Sequence, residues 1–181
     1  MSGDLFTLGM GQVVIARFKA NGAAEVGVFL LDVFCLGVKN AFFEKLDETE
    51  SEGRLDQFFE ESNKLSITPA YARKLVEASA AYAASLGFGP CSDYKQACKV
   101  FGGITASDCK EVFEFGKDGK PFFIQGPHDS PARVSQVVRL LGAKCGPDNF
   151  YFSNGFADDD GTANLELGHR HDDDCGCGHR H

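Results

Sequence analysis

Two long apolar runs meet at an Asn-Gly pair, and that junction constrains the fold more than any other feature of the chain. Gln12 to Phe18 reads QVVIARF, Ala24 to Phe34 reads AEVGVFLLDVF, and Lys19-Ala20-Asn21-Gly22 lies between them. β-Branched and aromatic residues favour extended backbone, and Asn-Gly supplies the positive φ angles of a tight turn. The segment therefore predicts a β-hairpin. Gly37 is expected to end its second strand, and Asn40 to cap a short helix running to Leu46 and carrying Phe42 and Phe43.

Helical signals dominate the middle of the chain. Residues 47–53 read as a polar connection, and Leu55, Phe58 and Phe59 mark a short amphipathic helix. Thr68-Pro69 is an N-cap followed by proline in the first turn. From there Tyr71, Leu75, Ala78, Tyr82 and Leu86 recur on one helical face, and Gly87 is expected to end the helix. Ser92 or Asp93 opens a second helix with Tyr94, Ala97, Cys98 and Phe101 on one face, stopped by Gly102-Gly103.

Glu111 to Gly116 and Lys120 to Gln125 predict a second hairpin around Lys117-Asp118-Gly119. Ser130-Pro131 repeats the cap-plus-proline start, with Val134, Val137, Val138 and Leu141 along a helix ending at Gly142. Asn149 to Phe152 is a short last strand. Hairpins separated by helices predict an α+β fold: an antiparallel or mixed sheet from two hairpins and a last strand, packed by three or four helices. Apolar periodicity ends at Phe152 or Phe156. Residues 1–157 are expected to form one domain, and residues 158–181 a flexible acidic tail.

The 181 residues are 43% hydrophobic, with 17 Phe, 4 Tyr and no Trp. That suffices for a core that needs neither disulfide nor metal. A net charge of −8 argues against a broad nucleic-acid surface, which draws on clustered Lys and Arg. Met1-Ser2-Gly3-Asp4 lacks the basic start of a signal peptide. The longest apolar stretch, Val26 to Leu36, is interrupted by Gly27 and Asp32 and is too short to span a bilayer. A cytoplasmic protein with no membrane partner is expected, and its seven cysteines then read as thiols or metal ligands.

The strongest chemical signal is at the C-terminal end, GHRHDDDCGCGHRH. Gly-His-Arg-His occurs at 168–171 and again at 178–181, flanking Cys175 and Cys177; only His128 lies elsewhere. Imidazole and thiolate are donors for Zn²⁺ and, alternatively, Ni²⁺. Cys175, Cys177, His179 and His181 can close a four-ligand site across the flexible glycines, with His169 and His171 as a looser second set. Cys175-Gly176-Cys177-Gly178 resembles the opening C-x-C-G of the zinc-binding SEC-C motif. In that motif a Cys-Cys or Cys-His pair follows, a place that His179 and His181 would take here. The segment is also similar to the His- and Cys-rich tails of nickel metallochaperones, which store or deliver metal. Both resemblances are confined to the tail, and they imply a metal ligand set there and nothing about residues 1–157.

The body carries weaker constellations. His128-Asp129 precedes the helix start at Ser130, where an acid or base near neutral pH is conceivable chemistry, although Asp129 or Ser130 as a simple cap accounts for the pattern. Asp32 and Cys35 sit in a very apolar run, so Asp32 needs a partner, Lys39 or Arg17, while Cys35 reads either as a nucleophile or as a buried, inert thiol. Gln12 to Phe18 has no carboxylate, which removes the ribonuclease-H-like nuclease reading. Phosphate-loop, dinucleotide, G-x-S-x-G and H-E-x-x-H motifs are absent from the sequence. Three functions remain as expectations: a metal-binding accessory or adaptor protein with a chelating tail, a small enzyme centred on His128, Asp129 and Asp32 or Cys35, and a protein-interaction module with a protein partner.

Overall fold

The computed structural model describes residues 1–50, 54, 63–154 and 166–167. The fold is α+β. After a single helical turn, α1 (Leu5–Leu8), three strands form an antiparallel meander: β1 (Met10–Phe18), β2 (Ala24–Asp32) and β3 (Gly37–Leu46). The Asn-Gly turn joins β1 to β2 as the sequence predicts, with the Lys19 N–H donating to Ala23 O at 2.8 Å and Gly22 at φ +80°.

The helix expected over Asn40–Leu46 is instead β3. β2 is the central strand, buried along almost its whole length, and every backbone N–H and C=O it carries needs a partner away from water. β1 satisfies one edge, and residues 37–46 satisfy the other. Gly37, at φ +66°, turns the chain back. It also lies beneath a helix: a Cβ there would stand 2.6 Å from Ser79 O and 2.6 Å from Ala83 Cβ.

That helix is α2 (Pro69–Ser85), whose N-cap, Thr68 Oγ1, accepts the Tyr71 N–H at 3.2 Å. Its C-terminal end closes as a Schellman turn, with Phe88 N–H to Ala83 O and Gly87 N–H to Ala84 O. The buried face is rotated from the expected one and consists of Ala72, Leu75, Val76, Ser79 and Ala83. Small side chains let the helix lie close on the meander. Tyr71 and Tyr82 are left at the flanks, only partly buried. A short helix, α3 (Tyr94–Ala97), runs into a 3₁₀ turn (Cys98–Phe101) that brings Val100 and Phe101 over the same sheet face. Phe101 stacks on Phe29 at 5.4 Å.

The second expected hairpin forms only at its tip. Lys117 and Lys120 exchange backbone hydrogen bonds around Asp118 and Gly119, both at positive φ. Beyond the tip the arms part. β4 (Phe122–Ile124) pairs in parallel with β5 (Tyr151–Ser153), connected by α4 (Pro131–Cys145), and Glu111 to Phe115 adopts no regular strand. α4 begins as read, with Ser130 Oγ accepting the Arg133 N–H at 3.2 Å. It runs past Gly142 to Cys145, because the glycine with positive φ is Gly146. β5 is not the last strand, since β6 (Glu166–Leu167) pairs antiparallel with it. Asp47 accepts the N–H groups of Thr49 and Glu50, so residues 48–50 form a helical turn within the expected connection. The helix expected around Leu55, Phe58 and Phe59 lies outside the described residues.

The β2–β3 turn joins two cores. Phe34 belongs to the cluster under α2, with Val13, Phe29, Leu31 and Leu75, while Cys35 and Leu36 enter a second cluster with Phe123, Val137, Leu141 and Phe150. Each large side chain fully buried in this way contributes about 1.5–3 kcal/mol.

Candidate functional site

The metal ligands expected from the sequence, Cys175, Cys177, His179, His181, His169 and His171, lie outside the described residues. Among the described residues, no group of three or more His, Cys, Asp or Glu side chains is placed to hold a metal ion.

The second candidate site lies at the β2–β3 turn. Asp32 ends β2 with its side chain buried, and its Oδ1 accepts the N–H groups of Phe34 at 3.0 Å and Cys35 at 2.8 Å. The carboxylate thus closes the turn that follows it. Burial pushes its pKa up to about 6, against the opposing pull of the Cys35 N–H, the Lys39 ammonium and the N–H groups of Leu36 and Phe34. Of the two partners expected for Asp32, Lys39 is the one whose charge reaches it. A register shift between Leu30 and Leu31 pairs them with Asn40 and Val38, leaving Lys39 as the bulged residue of β3. The bulge also brings Lys39 Nζ within 4.0 Å of the position a Cβ on Gly126 would take. Arg17 pairs instead with Glu25, its neighbour directly across the β1–β2 ladder. With Lys19 at 3.0 Å it holds the Glu25 carboxyl down at about 2.

Cys35 is fully buried. Burial, followed by the Asp32 and Cys145 charges, pushes its thiol far above the ordinary range. A nucleophilic cysteine needs the opposite, a stabilised thiolate, so the inert-thiol reading fits its surroundings. Burial likewise raises the Cys98 and Cys145 thiols. All five described cysteines, Cys35, Cys91, Cys98, Cys109 and Cys145, are free.

His128 is exposed. Asp129 Oδ2 accepts the Gly126 N–H at 2.8 Å, and the Asp129 N–H returns to Gly126 O at 3.1 Å, so this carboxylate closes a turn just before the Ser130 cap. Among the described residues, Asp32, Cys35 and His128 line none of three open cavities that dent the surface. One, of about 360 Å³, lies between Phe6, Phe34, Tyr71 and residues 111–116. A second, of about 460 Å³, lies between β1 and residues 64–69, and a third, of about 510 Å³, between α4 and Phe150.

The sequence reading missed the role of residues 111–115. Their alternation, Glu111-Val112-Phe113-Glu114-Phe115, was legible as strand, but the missing strand partner was not. Phe113 and Phe115 turn inward, and Val112 and Glu114 turn outward. Phe113 packs edge-on to Tyr71 at 5.0 Å and stacked on Phe6 at 6.1 Å, while Phe115 stacks on Tyr82 at 5.1 Å. The two flanking tyrosines of α2 therefore hold this segment.

No protein-family model, curated protein or solved structure matches this chain. Among the described residues, no helix is long and apolar enough to cross a membrane.

Proposed function

We propose that this chain is a metal-binding accessory protein, a folded α+β body carrying a chelating C-terminal segment. Cys175, Cys177, His179 and His181 take Zn²⁺, and His169 and His171 form a looser second shell. The observation that carries the reading is ligand density: four of the chain's five histidines and two of its seven cysteines fall within residues 168–181. Thiolate and imidazole within one short, glycine-rich stretch can reach tetrahedral geometry around a single ion. Ni²⁺ is the alternative cargo, drawing on all four histidines because it accepts higher coordination. Burial raises the thiols of Cys35, Cys98 and Cys145, which makes these three poor metal ligands, since metal binding must displace the thiol proton. Five free thiols in the body fit a reducing, cytoplasmic setting.

The enzyme reading has less support. It needs Asp32 or Cys35 to act with His128 and Asp129, yet both carboxylates are engaged in turns and Cys35 is sealed in the core.

The test is equilibrium titration of the untagged chain with Zn²⁺ and Ni²⁺, beside a chain ending at residue 167. Tight Zn²⁺ binding lost on truncation is the expected result. A truncated chain that binds Zn²⁺ as well as the full one would overturn the assignment.

A further inference from the structure

Val112 is 87% exposed, the most exposed large apolar side chain among the described residues. It sits in an extended segment whose side chains alternate in and out as a strand's do. Among the described residues, the N–H and C=O groups of Val112, Phe113, Glu114 and Phe115 make no hydrogen bond. Yet the segment is fastened at both ends. Lys74 Nζ donates to Cys109 O at 3.0 Å and Glu111 O at 2.6 Å, and the Gly116 N–H donates to Val33 O at 3.0 Å. Between these anchors, Phe113 and Phe115 are pinned by Phe6, Tyr71 and Tyr82. A segment fastened at both ends with its polar backbone unpaired has already lost part of the conformational entropy that pairing would cost.

The geometry points to residues 111–115 as a strand-addition site for an extended peptide of alternating apolar and basic residues, supplied by a partner protein. Backbone pairing supplies the affinity, and the adjacent 360 Å³ cavity between Phe6, Phe34 and Tyr71 receives one apolar side chain of the incoming strand. Charge selects the partner. Glu111 and Glu114 are exposed, and neither forms an ion pair with a described residue. Basic side chains on the outward face of an added strand come beside Glu114, which shares that face with Val112, while Glu111, of opposite parity, attracts them only at longer range. A second copy of this chain would set the glutamates of two strands beside one another on molecules of net charge −8 each. Exposed edges are commonly protected by such charges, and here the same carboxylates that deter self-pairing admit a cationic strand. The inference concerns the body alone and does not rest on metal binding by residues 168–181.

The experiment uses the full chain and a fluorescent heptapeptide of alternating Lys and Val. Binding is read by anisotropy, and amide exchange is read residue by residue by NMR. The expected result is slowed exchange at alternate amides within Val112–Phe115 on saturation. A Glu/Val peptide should bind at least about tenfold more weakly. Of two Lys/Val peptides N-methylated on opposite edges, one should lose binding and the other keep it. The double variant Glu111→Lys/Glu114→Lys, substituted at exposed positions, should keep its circular dichroism and exchange the two preferences. Three results would each overturn the proposal: unchanged exchange at 112–115 with saturating Lys/Val peptide, equal binding of both methylated peptides, or protection of these amides by dimerisation of the chain itself in the absence of peptide.

Discussion

Replacing Asp32 by asparagine keeps the turn and removes the charge, which makes it a direct measure of what burying that carboxyl costs. Asp32 is 4% exposed, and burial lifts its pKa from 3.8 to about 6. Below pH 3.8 the carboxyl is protonated in both folded and unfolded chains, and it contributes no pH dependence. Between 3.8 and about 6 the unfolded chain has released the proton that the native state still holds. Native stability therefore falls as pH rises through this window. The gap between the two values corresponds to about 3 kcal/mol, lost in full above the native pKa. Asparagine offers the same Oδ1 to the N–H groups of Phe34 and Cys35 and carries no charge to desolvate. Urea unfolding of wild type and Asp32→Asn at intervals from pH 4 to pH 8 should give a difference that grows in favour of the variant by about 3 kcal/mol. Asp32→Ala should lack the same pH dependence but lie about 1–3 kcal/mol lower throughout, because two N–H groups lose their acceptor. A flat difference, or one that grows in favour of wild type, would refute the reasoning. It would show that the turn N–H groups and Lys39 balance desolvation in the first case and outweigh it in the second.

Gly37→Ala forces a side chain into left-handed backbone at φ +66° and against Ser79 O. The expected loss is about 2–4 kcal/mol in denaturant unfolding, with the strand pairing of β3 the first to show faster amide exchange. Cys175→Ser/Cys177→Ser should weaken Zn²⁺ binding by well over about tenfold in calorimetry, and wild-type affinity should fall as pH drops below neutral. If Zn²⁺ affinity survives loss of the cysteine pair while His169→Ala/His171→Ala abolishes it, a histidine-led nickel site becomes the better account. Freshly prepared protein should show no crosslink among Cys35, Cys91, Cys98, Cys109 and Cys145 by mass spectrometry, in keeping with their free thiols.

What the sequence by itself determined about this protein is whatever depends on a few adjacent residues. Asn21-Gly22 specifies its turn through φ angles that few other pairs adopt. Thr68-Pro69 and Ser130-Pro131 each start a helix, because a hydroxyl satisfies a free N–H and proline fixes the next φ. The His and Cys pattern of residues 168–181 is likewise read from adjacent residues, and the metal site proposed there makes no reference to the fold. Tertiary structure alone decided which extended segments find partners. Residues 40–46 carry Phe42 and Phe43 in a pattern that reads as a short helix, but the open edge of β2 required a strand and took them. Glu111–Phe115 carries a clean alternation and remained unpaired, because β5 occupied the place beside β4 and the two α2 tyrosines drew Phe113 and Phe115 away. The candidate site divides in the same way. Asp32 and Cys35 stand out in the sequence as polar groups in an apolar run. Whether such a thiol reacts depends on its surroundings, and these bury Cys35 in the second core, while a one-residue bulge in β3 carries Lys39, whose charge reaches Asp32. Local backbone preferences act within a turn of the chain. Pairing and burial are settled by competition among segments far apart in sequence, for which no short stretch of residues holds the information.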